Sequence, residues 1–293
     1  MLSVRTAKIL KVFMIALSVF FATVLNQTLF QMGTLESVQA KRLPNRQKLN
    51  PELFRTLTFG FLPLTIDWIF IRMIADGEKE KVSAGQHPDF YYDLDLATDL
   101  DPAFFELYQT GGYLLSLVRG DHEGAKDVLR KGIAFYRDSL RTDPLTYTEI
   151  FKEQYWGQAW NLSVILAYIY LFQFDDMPHA AASFREAATL PGAPAYLASL
   201  EKKLGNPGGE YEVGIRLLRF LISGAPSEKA KEALEKKLLN LTVNYYIFEQ
   251  NRNFQTQSRK DLPAVDPWGG KLSLDSQGRI ETTTPHVPVF GLN

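Results

Sequence analysis

Residues 160–192, WNLSVILAYIYLFQFDDMPHAAASFREAATLPG, predict two antiparallel helices joined by a short polar turn. The second helix carries Ala180, Phe184 and Ala187, and this spacing places all three side chains on one helical face. Small residues allow a neighbouring helix to approach closely, and the aromatic ring fills the groove beside them. The stretch therefore predicts a closely packed helical hairpin.

Two other stretches repeat this pattern. Residues 106–138 contain the same small–large–small spacing after a Gly120–Asp121 turn, and residues 211–238 contain a poorer version of it. The equivalent positions are Ala125, Leu129 and Gly132 in the first of these stretches, and Ala230, Leu234 and Lys237 in the second. The leading alanines lie 55 and 50 residues apart (125 to 180 and 180 to 230). The sequence therefore predicts three related hairpins separated by insertions.

The spacing of Ala180, Phe184 and Ala187 resembles the tetratricopeptide repeat, a helical hairpin that stacks into a superhelix. Gly192 stands where the motif ends in proline. The family's period of about 34 residues is shorter than the spacing here. The resemblance therefore implies an all-α fold with a degenerate, tetratricopeptide-like superhelix over residues 53–250.

Composition excludes several classes of function. The chain has 293 residues, of which 46% are hydrophobic and 22% charged, as is ordinary for a folded globular protein. Its 32 basic and 33 acidic residues give a net charge of −1, so no overall field draws it to nucleic acid. The absence of cysteine excludes disulfides, thiolate catalysis and zinc–thiolate sites.

Residues 1–31 predict a transmembrane signal anchor. Arg5, Lys8 and Lys11 precede an uncharged apolar run that starts at residue 12 and extends to Phe30, about the minimum length that spans a bilayer. A signal peptide cleaved near Ala40 is the main alternative, and a buried soluble helix is a third interpretation. The adjacent basic residues favour an N terminus inside the cell, with the main domain outside the cytoplasm.

Residues 32–52 are basic, contain two prolines and predict a linker. The next apolar stretch predicts an amphipathic helix from about residue 63 to residue 77, in which we expect four large side chains to be mostly buried. These side chains are Trp68, Ile69, Ile71 and Ile74.

A second resemblance joins this helix to the segment that follows it. Asp95, Thr98, Leu100, Asp101 and Pro102 form a D-x-x-T-x-L-D-P pattern, and an acidic–tryptophan helix precedes it. This arrangement is similar to the leading part of membrane-anchored tetratricopeptide proteins of bacteria. The resemblance implies a single-pass protein of the bacterial inner membrane with a periplasmic main domain. A calcium site at Asp93, Asp95, Asp99 and Asp101 competes with a solvated helical face, and the lack of a glycine turn favours the face.

Aromatic residues between the first two hairpins predict a partner-binding surface. In tetratricopeptide folds the first helices form a concave surface that holds a peptide or helix, and exposed aromatics act as anchors there. The candidate residues are Tyr147, Phe151, Tyr155, Trp156, Trp160 and Tyr168. The competing interpretation is that most of these rings fill the core, because positions 147, 151 and 155 form one helical stripe.

Residues 251–293 change character. After a polar linker, KLSLD and RIETT alternate around residues 276–278, which predicts a small β-hairpin. The turn Asp266-Pro267-Trp268-Gly269 together with this hairpin resembles the C-terminal turn of type II secretion pseudopilins. That resemblance implies a calcium role for Asp266 or Asp275. The competing interpretation is a purely local structural device that docks on the helices.

No catalytic motif is present in the sequence. It contains no histidine pair at metal-ligand spacing, no nucleophile elbow and no phosphate-binding glycine loop, so we predict no catalytic residue, no cofactor and no metal. The predicted function is a membrane-tethered scaffold that docks a partner protein in an envelope complex. The alternatives are a cell-wall-associated enzyme or enzyme accessory, and a structural spacer of a secretion or pilus apparatus. A repeat surface covered by the chain's own C-terminal part would favour the spacer or an autoinhibited binder.

Overall fold

Helices form nearly all of the regular structure. The computed structural model describes residues 50–58, 60–76, 81–83, 85–225, 227–256 and 263–290, so the predicted anchor and residues 32–49 of the linker lie outside the described residues. Over the described ranges the chain is mostly helical, which confirms the all-α class. The helices are α1 (Pro51–Leu57), α2 (Leu62–Asp76), α3 (Asp89–Leu100), α4 (Phe105–Tyr113), α5 (His122–Phe135), α6 (Glu149–Trp156), α7 (Trp160–Phe172), α8 (Met177–Thr189), α9 (Leu197–Leu204), α10 (Gly209–Ser223) and α11 (Glu228–Thr256). π-Helical turns extend α4 over Leu114–Arg119 and α5 over Tyr136–Leu140.

The central hairpin forms as the sequence predicts. Helices α7 and α8 pack together, and Ala180, Phe184 and Ala187 are completely buried between them and their neighbours. Asp176 caps α8, since its carboxylate accepts a hydrogen bond from the His179 backbone N–H at 3.1 Å. Burial of the two alanines allows the close approach that the small–large–small spacing requires.

The first hairpin shows why a small residue stands at position 132. Helices α4 and α5 meet around Gly120, whose φ of 73° is left-handed, and Asp121 caps α5 by accepting from the Gly124 N–H at 2.8 Å. A Cβ atom built on Gly132 would lie 2.7 Å from the Tyr108 ring. The two helices are therefore too close to admit a larger side chain there.

Helix α11 covers part of the surface formed by the first helices of the hairpins. It contacts the π-helical turn 114–119 and packs along α10. In addition, the Lys237 ammonium lies 5.3 Å from the ring centres of both Tyr168 and Phe172 on α7. The part of α7 that contains Tyr168 and Phe172 is therefore covered by the chain's own helix α11.

The prediction for the buried side chains of α2 is wrong in three of four positions. Ile69 is buried, whereas Trp68, Ile71 and Ile74 are at least half exposed. The face that packs against α3 carries Ile66 and Met73 with Ile69. The spacing of 66, 69 and 73 forms one stripe, so the other apolar residues lie on the opposite side of the helix.

The membrane-spanning potential of the described residues is limited to one helix pair. No single described helix is long and apolar enough to cross a bilayer. Residues 51–57 and 62–75 satisfy the length and composition criteria only when taken together, across a bend of 116°.

The C-terminal part packs on the helices. Strands β1 (Leu272–Leu274) and β2 (Ile280–Thr282) pair antiparallel with Ser273 opposite Glu281, which confirms the predicted hairpin. The Asn251 side chain on α11 donates to the Ile280 carbonyl at 3.1 Å and accepts from the Ile280 N–H at 2.7 Å. Further along, Phe290 stacks on Phe172 with 5.3 Å between ring centres. The tail therefore reaches the same end of α7 that α11 covers.

Candidate functional site

The six aromatic residues predicted to bind a partner divide into a buried group and a surface group. The buried side chains are Trp156, Trp160 and Tyr168, which are 1%, 8% and 2% exposed. Tyr147 and Phe151 are partly buried, and Tyr155 is 46% exposed. A partner could therefore contact only the surface group while the protein stays folded.

Trp156 is a central core residue. Its ring lies 5.2 Å from Phe105 and 5.8 Å from Tyr108 on α4, measured between ring centres, and it also contacts Phe135 and Tyr136. The indole N–H donates to the Ala103 carbonyl at 2.8 Å, so the one polar atom of the side chain is satisfied. Trp156 fills the space that the insertion between the hairpins creates, as the core interpretation predicted.

Tyr168 and Trp160 belong to the interior of the central hairpin. The Tyr168 hydroxyl accepts a hydrogen bond from the Gln173 side-chain amide at 3.2 Å. Burial raises the pKa of Tyr168 above its ordinary value. The Trp160 ring lies 5.5 Å from Phe220 on α10. Both side chains connect helices of the core.

The remaining aromatics lie on a surface platform formed by residues 145–155. Thr148 begins α6 by accepting from the Phe151 N–H at 3.3 Å, and ring centres follow one another at 5.6 Å between Tyr147 and Phe151 and 5.0 Å between Phe151 and Tyr155. Tyr147 in turn packs edge-on against Phe135. The platform therefore packs against α5 through Tyr147, and Tyr155 projects into solvent.

Two aliphatic side chains of this 145–155 platform were missed by the sequence argument. Leu145 is 94% exposed and Ile150 is 75% exposed, more than any of the aromatic candidates. Both stand beside predicted aromatics, but neither continues the stripe of positions 147, 151 and 155. The signal that would have found them is an apolar residue outside the buried stripe of a short helix.

Comparison of the chain with known protein families, curated proteins and solved structures finds no match. The 145–155 platform is therefore interpreted from its own chemistry. It presents aliphatic and aromatic carbon, and its charges lie close by in the Glu149–Lys152 ion pair at 2.6 Å. An apolar centre with a charged edge is typical of surfaces that bind proteins, and not of sites that bind small polar ligands.

A groove of about 380 Å³ lies between α5 and α8 above α7. Its walls carry Arg130 and Arg137 on one side, and His179 and Glu186 on the other. Burial raises the pKa of Glu186, and the Arg137 charge opposes that shift.

The charged groups of this groove already have partners within the chain. Arg130 donates to the Tyr170 hydroxyl, Arg137 binds Asp138 through two nitrogens at 2.7 and 3.0 Å, and His179 lies 2.7 Å from Asp176. The groove therefore offers few converging polar groups for a ligand, and we do not assign it a function.

Three of the four aspartates considered as a calcium site are paired with cations of the chain, and Asp101 accepts a hydrogen bond from the Ala103 backbone N–H. Lys131 lies 3.2 Å from Asp95 and 2.6 Å from Asp99, and Arg72 lies 3.5 Å from Asp93. Asp93 is only 8% exposed, so the expectation of a solvated face is wrong at this position. Over the described ranges no group of three or more histidine, cysteine or acidic side chains is arranged to hold a metal.

Asp266 organises the C-terminal turn. The carboxylate is 4% exposed and accepts hydrogen bonds from the backbone N–H groups of Trp268 and Gly270, at 2.9 and 2.8 Å, and from the hydroxyls of Thr282 and Thr284. Burial opposes ionisation, but these hydrogen bonds outweigh it and lower the pKa of Asp266 to about 2. Both oxygens are thus occupied within the turn, as the local structural interpretation predicted.

The hairpin is expected to loosen in acid as Asp266 gains a proton. Because the folded-state pKa lies below the ordinary value, the carboxylate stabilises the turn above about pH 4, and this contribution is lost as the pH falls through about 2. Hydrogen–deuterium exchange of residues 263–286 should therefore show a loss of protection over that range, when each rate is divided by the intrinsic amide rate at the same pH. Asp266→Asn should give fast exchange at neutral pH, whereas the control Glu281→Gln, at an exposed position on β2, should not. Equal exchange in both variants would contradict the role of Asp266.

Proposed function

We propose that this chain is a membrane-tethered scaffold of the bacterial envelope, whose 145–155 platform docks a partner protein. One observation carries the proposal. Leu145, Ile150 and Tyr155 expose large apolar side chains on a segment whose last helix residue, Trp156, is fixed in the core. A rigidly held apolar surface loses little conformational entropy when a partner covers it. Clustered exposed apolar side chains of this kind mark interaction sites.

The architecture supports docking at the platform rather than on the first helices. Tetratricopeptide-like stacking of three hairpins is part of the proposal, supported by the buried small residues Ala125, Ala180 and Ala230 at equivalent positions. Since α11 and the tail near Phe290 cover the end of α7, the usual concave surface is not open, which by itself favours a spacer or an autoinhibited binder. The exposed apolar side chains of the 145–155 platform favour docking at a different place. The insertion between the first two hairpins takes over the contact, and the partner contributes an apolar helix or peptide.

The tether belongs to the same proposal. Residues 1–31 cross the inner membrane, residues 32–52 link them to the helical domain, and the domain lies in the periplasm. The basic residues before the apolar run support this orientation. As a scaffold the protein acts without a catalytic residue, cofactor or metal. The alternative of export after cleavage near Ala40 keeps the docking surface and removes the tether.

The docking surface is tested by crosslinking the full-length protein in its native membranes, followed by quantitative mass spectrometry of recovered partners. Substituting Leu145→Ser, Ile150→Ser and Tyr155→Ser together should reduce recovery of a specific partner by roughly tenfold or more, because central apolar contacts dominate binding energy. The fold should persist, since all three side chains are exposed.

A matched control changes three exposed apolar residues elsewhere, Leu239→Ser, Val265→Ser and Val287→Ser. We expect this variant to recover the partner as the unmodified chain does. Equal loss in both triple variants, or loss in the control alone, would contradict docking at the 145–155 platform. The same spectra report the N terminus: a chain that retains residue 1 or 2 supports the tether, and one that starts at Lys41 contradicts it.

A further inference from the structure

Helix α2 carries large apolar side chains on two opposite sides. Ile66, Ile69 and Met73 form the buried side toward α3. Leu64, Trp68 and Ile71 follow a spacing of four and three residues on the other side and are 67%, 57% and 65% exposed. The exposed Asp67 lies among them, three residues after Leu64 and four before Ile71. Large apolar side chains on both sides of a helix normally have an apolar environment on each side, and the described residues supply only one of them.

The exposed apolar residues are concentrated in this region. Of the sixteen large hydrophobic side chains that are exposed in the described ranges, seven lie between residues 53 and 74. They are Leu53, Leu57, Phe61, Leu64, Trp68, Ile71 and Ile74. Surface hydrophobics scattered singly need no explanation, whereas seven such residues close together in the chain, on α1, α2 and the turn between them, do.

We propose that the exposed side of α2, called here the α2 outer face and formed by Leu64, Trp68, Ile71 and Ile74, rests at the boundary between the headgroups and the acyl chains of the lipid bilayer. The inference depends on the tether of the proposed function. The apolar run ends at Phe30 and α1 begins at Pro51, and the 20 residues between them reach at most about 70 Å. The α2 outer face is therefore the large apolar surface closest along the chain to the membrane anchor.

The chemistry of the α2 outer face fits a membrane–water interface. Trp68 is the residue type that prefers this boundary, because its ring is largely apolar and its N–H is polar. The Arg72 guanidinium lies 5.5 Å from the centre of the Trp68 ring and 3.5 Å from Asp93, at the margin of the apolar stripe. The stem of such a long cationic side chain lies along the apolar surface, and Asp93 compensates its charge.

A second copy of the chain is a less suitable occupant. The spacing of Leu64, Trp68 and Ile71 also fits a coiled-coil seam, but α2 has 15 residues, only about two heptads, where such pairing needs three or four. The apolar surface also extends beyond a seam to Phe61, Ile74 and the leucines of α1. A broad apolar face on short helices is typical of helices that lie in the membrane surface.

The absence of cysteine makes a direct test possible. Single substitutions Leu64→Cys, Ile71→Cys and the control Leu239→Cys each introduce one thiol for a nitroxide spin label. Leu239 is also exposed and apolar, at 49%, but lies on α11. Full-length protein is inserted into nanodiscs of phosphatidylcholine and phosphatidylglycerol in a ratio of about 3:1. The anionic lipid gives the disc the negative surface potential of a cytoplasmic membrane. Collision rates with oxygen and with a neutral nickel complex are then measured by electron paramagnetic resonance.

Labels at 64 and 71 should show a ratio of oxygen to nickel collisions roughly tenfold above that at 239, because oxygen concentrates in the acyl region and the nickel complex stays in water. Nickel contact at 64 and 71 equal to that at 239 would overturn the proposal. Low contact with both reagents would also overturn it, by showing that protein covers the face. Spectral broadening that disappears on dilution with unlabelled chain would then identify a second copy, and its absence would identify another segment of the same chain.

Co-migration with nanodiscs separates this inference from the tether. If the chain co-migrates but the labels at 64 and 71 remain in water, the tether stands and the interfacial helix does not. If the chain fails to co-migrate, the tether fails and the inference fails with it. Ile74→Cys, half exposed on the same helix, provides a third position should one of the first two variants fold poorly.

Discussion

Replacing Trp156 with alanine should lower the free energy of unfolding by about 3–5 kcal/mol, the range for removing a buried aromatic side chain. The ring is 1% exposed and contacts four other aromatic rings from α4 and α5 with its π-helical extension. Its loss also leaves the Ala103 carbonyl without the indole donor. Thermal unfolding of the detergent-solubilised, full-length protein, followed by circular dichroism, should show a melting temperature lower by about 10 °C.

The neighbouring residue provides the control. Tyr155 is 46% exposed and its ring contacts Phe151, so Tyr155→Ala should change the free energy of unfolding by less than about 1 kcal/mol. Trp156→Phe should fall between the two, because it keeps an aromatic ring but loses the N–H donor. If Trp156→Ala melts like the unmodified protein, the core position of this residue is wrong. The 145–155 platform would then lack the rigid attachment on which the docking proposal depends.

The burial of Trp156 shows what the sequence was able to predict in this segment and what it was not. Phe151 and Tyr155 are correctly expected to share one side, because they lie four residues apart on α6, and Tyr147 contacts Phe151 from the turn before the helix. Trp156 lies one residue beyond the stripe and is buried by Phe105 and Tyr108, about fifty positions earlier in the chain. No local pattern contains that contact, since it depends on how the first hairpin packs against α6.

Helix α2 is a second case in which the local sequence does not show which side chains are buried. Its composition correctly predicts a helix near residues 63–77, but its apolar residues surround the axis, so periodicity does not identify the face that packs inward. The packing against α3 selects Ile66, Ile69 and Met73 and leaves Trp68 outside. By contrast, the motif of Ala180, Phe184 and Ala187 is predictable because two small residues fix the inward face without ambiguity.

The sequence predicts the first part of α11 as the second helix of the third hairpin, but the position of α11 depends on contacts that are distant in sequence. Lys237 stands where the repeat pattern expects a small residue, and its ammonium group lies over two rings of α7. Burial lowers the pKa of Lys237 to about 8, with Lys81 adding to the shift. Lys237 thus marks the position at which the third hairpin differs from the other two. At the same position α11 covers α7.

The junction between α9 and α10 offers the second large stability effect, at Gly209. The sequence NPGGE, residues 206–210, is recognisable as a helix breaker, but the sequence does not show which glycine is required by packing. A Cβ atom at Gly209 would lie 1.7 Å from the Lys203 carbonyl oxygen, which belongs to the backbone and has no rotamer to adopt. At Gly205 the nearest atom is the Lys202 carbonyl oxygen at 3.6 Å, an ordinary contact.

Gly209→Ala should therefore destabilise the protein by about 3 kcal/mol, at the upper end for overpacking, because relief requires α9 and α10 to separate. Alanine is the better helix former by up to about 1 kcal/mol, so the measured loss already includes that gain. Gly205→Ala has the same chemistry without the clash and should change the free energy of unfolding by less than about 1 kcal/mol. Chemical denaturation of both variants decides the matter. If neither variant is destabilised, the start of α10 does not approach the Lys203 carbonyl. Helices α9 and α10 would then be farther apart at Gly209 than the structure shows.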